Sequence, residues 1–305
     1  MEFRELKYIT TIAEYGSFTQ AANALYVSQP SLSHMVARTE ERLGTVLFDR
    51  SQTPLKPTYA GEIYLRYANE ILSSGDMMER EFRDLSHNKK GRLRIGLPYE
   101  RVAYMLPEIL PRFSAEFPDI QLEIKDAGGG KLLDMIERGR IDFAILPLMS
   151  SIPGMDTHPI YEEELLLSAS SDMIESEDFL DGDSNVIDIA SLRNKPFILQ
   201  SGGHVIRDAI DVLLKAYRIK PHIVQEISGN MTAYRLSGAG LGVAIIPELT
   251  THLVQPITGG ALYHLSGKAP VFWEIQAVYR KNTYIGTVET RFFQIAHDIF
   301  SKSAR

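Results

Sequence analysis

The 305 residues contain no cysteine and a single tryptophan. Without thiols there are no disulfides, thiolate zinc sites or cysteine nucleophiles, and a reducing compartment is expected. No apolar run approaches the ~20 residues that a bilayer span requires. The opening MEFRELKYITTIAEYG lacks the basic-then-apolar order of a secretory signal. The expectation is a cytoplasmic protein without membrane association. Excess positive charge is also missing. The net charge is −7, which argues against indiscriminate coating of nucleic acid. The deficit is uneven, because residues 1–90 carry 11 Lys or Arg against 12 Asp or Glu and leave −6 to the remainder.

Catalytic signatures are scarce too. There is no Gly-x-Ser-x-Gly elbow and no His-Glu-x-x-His. Gly238-x-Gly240-x-Gly242 follows a helical pattern and precedes a strand pattern, the reverse of the dinucleotide-binding order. Asp181-Gly-Asp183-Ser-Asn185 opens like a calcium loop, but Val186 replaces the required Gly and Leu192 the bidentate Glu, leaving a polar surface loop. Glu162-Glu163-Glu164 reads as a solvated strand edge. No catalytic residue, metal ligand or cofactor is expected.

Hydrophobic content of 44% supports packed cores, and the length suggests about two or three domains. Phe3, Leu6, Ile9, Thr10 and Ala13 form a helical face that stops at Gly16. Ser17-Phe18-Thr19-Gln20 fits a capping box before a short helix through Leu25. After the Tyr26-Val27 hinge, Ser28 can cap a third helix with Pro30 in its first turn, where a missing N–H costs nothing. Leu32, Val36, Thr39 and Leu43 face inward by their spacing, and Gly44 ends the helix. Its other face carries Gln29, Pro30, Ser33, His34 and Arg38. Short polar groups at a helix start can enter a major groove, so the pair reads as a helix-turn-helix or as an ordinary packing unit. Residues 46–61 suggest a hairpin wing offering Arg50 and Lys56 to phosphates.

A long helix follows from Thr58 to His87. Its seam of Ile63, Tyr67, Ile71, Met78, Phe82 and Leu85 is expected to pair two chains, setting recognition helices ~34 Å or a multiple apart; the alternative is a helix packed on its own domain. Beyond the polar break at 87–91 the pattern alternates: LRIGLP, LPEILPRFSAEF, IQLEIKDA, GKLLDMIERG, IDFAILPL. A second round begins near Pro196. Such alternation implies parallel βαβ units in two α/β lobes, with ligands beyond the strand C-termini.

From Phe18-Thr19-x-Ala21-Ala22-x-x-Leu25-x-Val27-Ser28-Gln29-Pro30-Ser31-Leu32-Ser33, through Glu40-x-x-Leu43-Gly44 and Leu47-Phe48-x-Arg50, to Thr58-x-Ala60-Gly61, the chain resembles the LysR-type transcriptional regulators. Ile141-Asp142-Phe143-Ala144-Ile145 and the run from Gly238 to Pro247 resemble their effector domain. The resemblance implies an α/β architecture in three parts. Residues 1–58 would be a winged helix-turn-helix DNA-binding domain and 59–90 a dimerising linker helix. Residues 91–305 would be a two-lobed effector domain like the periplasmic binding proteins, with lobe 1 about 91–165 and 267–305 and lobe 2 about 166–266. It also implies a ligand-responsive regulator of promoter DNA, homodimeric through the linker and assembled as a homotetramer, with RNA polymerase as a further partner. The competing reading is a solute-binding or catalytic α/β protein with an accessory helical domain.

Carried over residue by residue, Gln29, Pro30, Ser33 and His34 are base-reading positions. Thr19, Ser31, Arg38 and Arg50 are backbone candidates, with Ser28 at the same helix start. His34 stands where relatives often carry Arg, and Pro57 where Leu is common. The effector corner implied is Pro98, Tyr99, Glu100 and Arg101, with Gly128, Gly129 and Gly130, then Gln200, Ser201, Gly202, Gly203 and His204, and Asn230 with Thr232. Tyr99, Glu100, Arg101 and Gly129 occupy places where relatives carry hydroxyls that hold a carboxylate. Glu100 would repel an acid unless protonated or paired with Arg101, or would simply stabilise its own helix start. The expectation is that Arg101 or His204 handles any acidic group, or that the effector is neutral or bears an amine.

Overall fold

The computed structural model describes residues 2–85, 90–180, 183–255, 257–266 and 271–301. The chain divides into two compact units, Met1–Asn88 with Glu137–Arg140, and Lys89–Ile136 with Ile141–Arg305. Asp181, the first residue of the calcium-like loop, and His87, the expected end of the long helix, lie outside the described residues.

The first unit starts with helices α1 (Phe3–Tyr15), α2 (Phe18–Ala24) and α3 (Gln29–Leu43). Their apolar faces meet in one core of Ile9, Ile12, Ala21, Ala22, Leu32 and Val36, closed by Leu47, Phe48 and Leu65. Ile12 takes a core place, whereas Phe3 is exposed. Gly16 adopts φ 57 and donates its N–H to the Ile12 carbonyl, ending α1 in a left-handed cap. The Ser17 hydroxyl accepts from Gln20 N–H at 3.4 Å, and the Ser28 hydroxyl from Ser31 N–H at 3.3 Å. Leu32, Val36 and Thr39 are buried, but Leu43, in the last turn before the left-handed Gly44 cap, is exposed. Glu40 is buried there instead. Its carboxylate accepts from Leu47 N–H at 2.7 Å and Arg50 Nη2 at 3.1 Å, anchoring the wing to α3.

The wing is a two-stranded antiparallel ribbon, β1 (Phe48–Asp49) and β2 (Lys56–Pro57), with Phe48 opposite Pro57. The long helix α4 (Tyr59–Leu85) leaves it immediately. A Cβ at Gly61 would lie 2.0 Å from the Leu47 carbonyl oxygen, so only glycine fits where α4 crosses that backbone. Leu65 and Ala68 face the unit's interior, while Ile63, Tyr67, Met78, Phe82 and Leu85 stay exposed and Ile71 is half-buried.

The second unit opens with β3 (Gly91–Leu97), α5 (Tyr99–Glu116), β4 (Ile120–Asp126), α6 (Gly129–Glu137) and β5 (Phe143–Leu148). β3 is parallel to both β4 and β5, two βαβ units as the alternation implies. α5 begins well before the LPEILP segment and keeps Pro107 and Pro111 inside it. Both prolines are exposed, where water can satisfy the carbonyls they leave unpaired. The next strand, β6 (Met155–Ser170), is absent from the alternation, which passes from Leu148 to Pro196.

After it come β7 (Val186–Asp188), β8 (Pro196–Gln200), α7 (Val205–Ala216), β9 (His222–Ile227), α8 (Asn230–Gly238), β10 (Ala244–Pro247), β11 (Gly260–Ser266), β12 (Phe272–Arg280) and α9 (Thr287–Phe300). The main sheet runs β4-β3-β5-β12-β6-β11-β7, with β10 also on β6. β6 changes partners along its length. Met155 to Glu164 pair with β12, and Leu165 to Ser170 with β10 and β11. β8 and β9 form a separate parallel pair, with Gln200 beside Ile227. A single apolar cluster joins Leu93, Phe113, Phe143 and Phe292 to Phe197, Ile210 and Val243.

A further expectation is overturned. Glu163 is not a solvated edge residue but is 1% exposed. It shares the inward face of β6 with Tyr161 and Leu165, the period-two alternation of a strand.

Candidate functional site

Each unit presents a helix start. In the first, Thr19, Ser28, Gln29, Pro30, Ser31, His34 and Arg38 are exposed and Ser33 is half-buried. The first turn of α3 holds no acidic residue. Its Ser31 N–H is met by the Ser28 hydroxyl, which also donates to Ser31 Oγ at 2.8 Å, so Ser28 is committed to capping. A shallow groove lined by Ala37, Arg50, Gln52 and Lys56 runs between α3 and the wing. Arg50 lies 5.5 Å over the Phe18 ring and bridges to Glu40 with half its side chain in solvent. The arrangement offers hydrogen-bonding side chains at the helix tip, with cations beside it, which suits base edges flanked by phosphates.

The second unit's corner is assembled by parallel strands that end together. Leu97 of β3 is level with Asp126 of β4, which brings Pro98, Tyr99, Glu100 and Arg101 beside Gly128, Gly129 and Gly130. The ends of β8 and β9 bring Gln200, Ser201, Gly202, Gly203 and His204 beside Asn230 and Thr232. Glu100 connects the two groups. Its carboxylate accepts from the backbone N–H of Asn230 at 2.8 Å, from Asn230 Nδ2 at 2.8 Å and from Met231 N–H at 3.4 Å. Gln200 Nε2 donates to Asn230 Oδ1 at 2.8 Å. Glu100 thus pairs neither with Arg101 nor with its own helix; it caps α8.

Arg101 departs from its expected role. It is 5% exposed, and its guanidinium donates to Tyr104 Oη at 2.5 Å, Tyr161 Oη at 2.8 Å and Glu163 at 2.5 Å. It also lies 5.5 Å over Trp273. Burial alone would lower its pKa, but Glu163 and the tyrosines outweigh that and hold it above its ordinary value. Trp273 Nε1 at 2.8 Å and the Leu249 N–H at 3.3 Å also donate to Glu163, completing the carboxylate's shell. A cation so engaged is structural, because freeing it would bury Glu163 unpaired. His204 remains exposed before α7 and makes no side-chain cap.

Sequence reasoning missed Arg207. It donates to the Gln200 carbonyl at 2.8 Å and bridges to Glu226 at 2.9 Å and Asp211 at 3.0 Å, bracing both strand ends. Its position in the first turn of α7, four residues before Asp211, was the available signal. Among the described residues no helix is long and apolar enough to cross a membrane, and no acidic or His cluster has the makings of a metal site.

Residues 3–62 match the model of the bacterial regulatory helix-turn-helix protein, lysR family, and residues 86–301 match that of the LysR substrate binding domain. The HTH-type transcriptional regulator YcgK of Bacillus subtilis (strain 168) is 28% identical over 312 residues, covering 98% of this chain and 94% of its own. A full-length OxyR point variant from Pseudomonas aeruginosa shares the fold with a TM-score of 0.75 at 24% identity, covering 98% of this chain and 94% of that one. Full-length CbnR complexed with its target DNA does so with a TM-score of 0.63 at 24% identity, covering 98% and 99%.

Proposed function

This chain belongs to the LysR family of transcriptional regulators, a DNA-binding helix-turn-helix joined to an effector-binding domain, and from that premise we propose how its sites divide the work. Gln29, Pro30, Ser33 and His34 read base edges in the major groove of promoter DNA. Thr19, Ser31, Arg38 and Arg50 hold the phosphate backbone, while Ser28 keeps α3 wound. The supporting observation is the start of α3, which is exposed, polar, serine-capped and free of carboxylates in its first turn. The CbnR complex supports DNA as the partner.

The exposed seam of α4 pairs two copies in the cytoplasm, and two such dimers form a tetramer. A small-molecule effector occupies the strand-end corner beside Glu100, Gln200, His204 and Asn230. With no cysteine in the chain, sensing proceeds by binding rather than thiol oxidation. The effector changes the angle between the lobes, which alters dimer pairing and the spacing of recognition helices on DNA. RNA polymerase at the same promoter is the downstream partner.

A gel-shift series tests the reading. The purified dimer is expected to shift a duplex from upstream of its own gene, with Ser33→Ala relaxing sequence preference. A monomer indifferent to every such fragment overturns it.

A further inference from the structure

Glu100 stands at the start of α5, and its carboxylate reaches across to the start of α8, 130 residues further along the chain. It takes the Asn230 and Met231 N–H groups and the Asn230 amide. Free N–H groups at the first turn of a helix, with the positive end of its dipole, are where an anion from solution would sit. In this nine-residue helix that place is filled from within. A Cβ at Gly229 would lie 3.5 Å from Glu100 Oε1 and 3.8 Å from Thr232 Oγ1, ordinary contact distances, so the carboxylate is seated directly against this helix start without depending on the glycine.

A second observation concerns Gln200, which is fully buried at the end of β8. Its amide nitrogen is spent on Asn230, while Oε1 has no hydrogen-bond partner. A buried acceptor left unpaired is costly and invites a donor. The corner therefore holds a carboxylate and an unpaired amide oxygen, while the cation of the adjacent Arg101 is bound to Glu163.

We propose that Glu100 is an internal carboxylate that masks the anion-binding start of α8 and thereby sets the ligand class of the site. Carboxylates are refused at this subsite, and the effector must bring N–H or O–H donors, such as an ammonium or an amide. The proposal rests on the strand-end corner being the effector site.

Acetate is the probe, because Glu100→Ala removes a fragment of acetate's size. Thermal unfolding of the full chain is followed in sodium acetate against equal sodium chloride. Wild type is expected to show no saturable difference. Glu100→Ala is expected to gain about 3–6 °C at ten times Kd, and to lose that gain when Asn230→Ala is added. Should Glu100→Ala not fold, Glu100→Gln is read in its place, with a smaller gain expected because a neutral amide holds the N–H groups less firmly. Equal responses in wild type and variant, or no response in a folded variant, overturn the proposal. DNA shift is measured on the same samples. Normal promoter binding without any acetate gain removes the masking alone, whereas a wild type that ignores its promoter removes the regulator reading whatever acetate does.

Discussion

Two helix starts in this chain receive opposite treatment. α3 begins with a serine cap, no acidic residue in its first turn and polar side chains in solvent. α8 begins with Gly229, which makes no side-chain cap, and its N–H groups are taken by Glu100. The backbone dipole is the same in both. What differs is the neighbour. A local hydroxyl leaves α3 open to a polyanion, whereas a distant carboxylate closes α8 to one. Affinity for anions at a helix start is therefore a property of tertiary surroundings.

The largest expected effect probes what keeps Glu100 beside α8. With Arg101 committed to Glu163, no guanidinium competes for Glu100. Glu163→Ala strands a buried cation and is expected to cost about 3–5 kcal/mol in urea unfolding. A loss below about 1 kcal/mol would mean that Arg101 escapes to solvent or to Glu100, and the contrast between the two helix starts would weaken. Next in size, Gln29→Glu gives α3 a carboxylate in its first turn and makes it resemble α8. Folding stability should hold or rise by about 0.3–1 kcal/mol, while affinity for promoter DNA should fall at least about tenfold, or ~1.4 kcal/mol. Unchanged affinity in a binding titration would remove this helix start from the interface. The smallest effect is expected at Arg50, half-exposed and paired to Glu40. Arg50→Ala should weaken binding to all duplexes alike and reduce the salt slope by about 0.9. Altered sequence choice with a normal slope would instead place Arg50 on a base.

The local features were legible because each is written within a few residues. Ser17 and Ser28 caps, the Gly16 and Gly44 stops, and the inward Leu32, Val36 and Thr39 all follow from short-range pattern. Leu43 failed because the last turn of a helix need not follow its stripe into the core, and Glu40 took the inward place by bonding Leu47 and Arg50 beyond the helix. The alternation from β3 to β5 was equally plain, and of the residues named for the corner Glu100, Gln200 and Asn230 are joined by hydrogen bonds whereas Arg101 is turned to Glu163. Three consecutive glutamates hid the burial of the middle one. Its partners Arg101 and Trp273 lie 62 and 110 residues away, so composition pointed outward while pairing pulled inward. The alternation of Tyr161, Glu163 and Leu165 on one face carried the contrary signal. The roles of Glu100 and Arg101 were likewise fixed by Asn230 and by Tyr161 and Glu163, which no local window contains.

The strand β6 has a consequence for how this protein can move and how it can be divided. It passes from one set of partners to another between Glu164 and Leu165 with no intervening loop, and Leu165 N–H is held at once by the Val271 carbonyl at 2.7 Å. Rotation of one half against the other has no slack to draw on and must be taken up as twist within a hydrogen-bonded ribbon. Excising either half would cut across that ribbon between Glu164 and Leu165 and leave each piece with a truncated strand, so the two are expected to melt as one object.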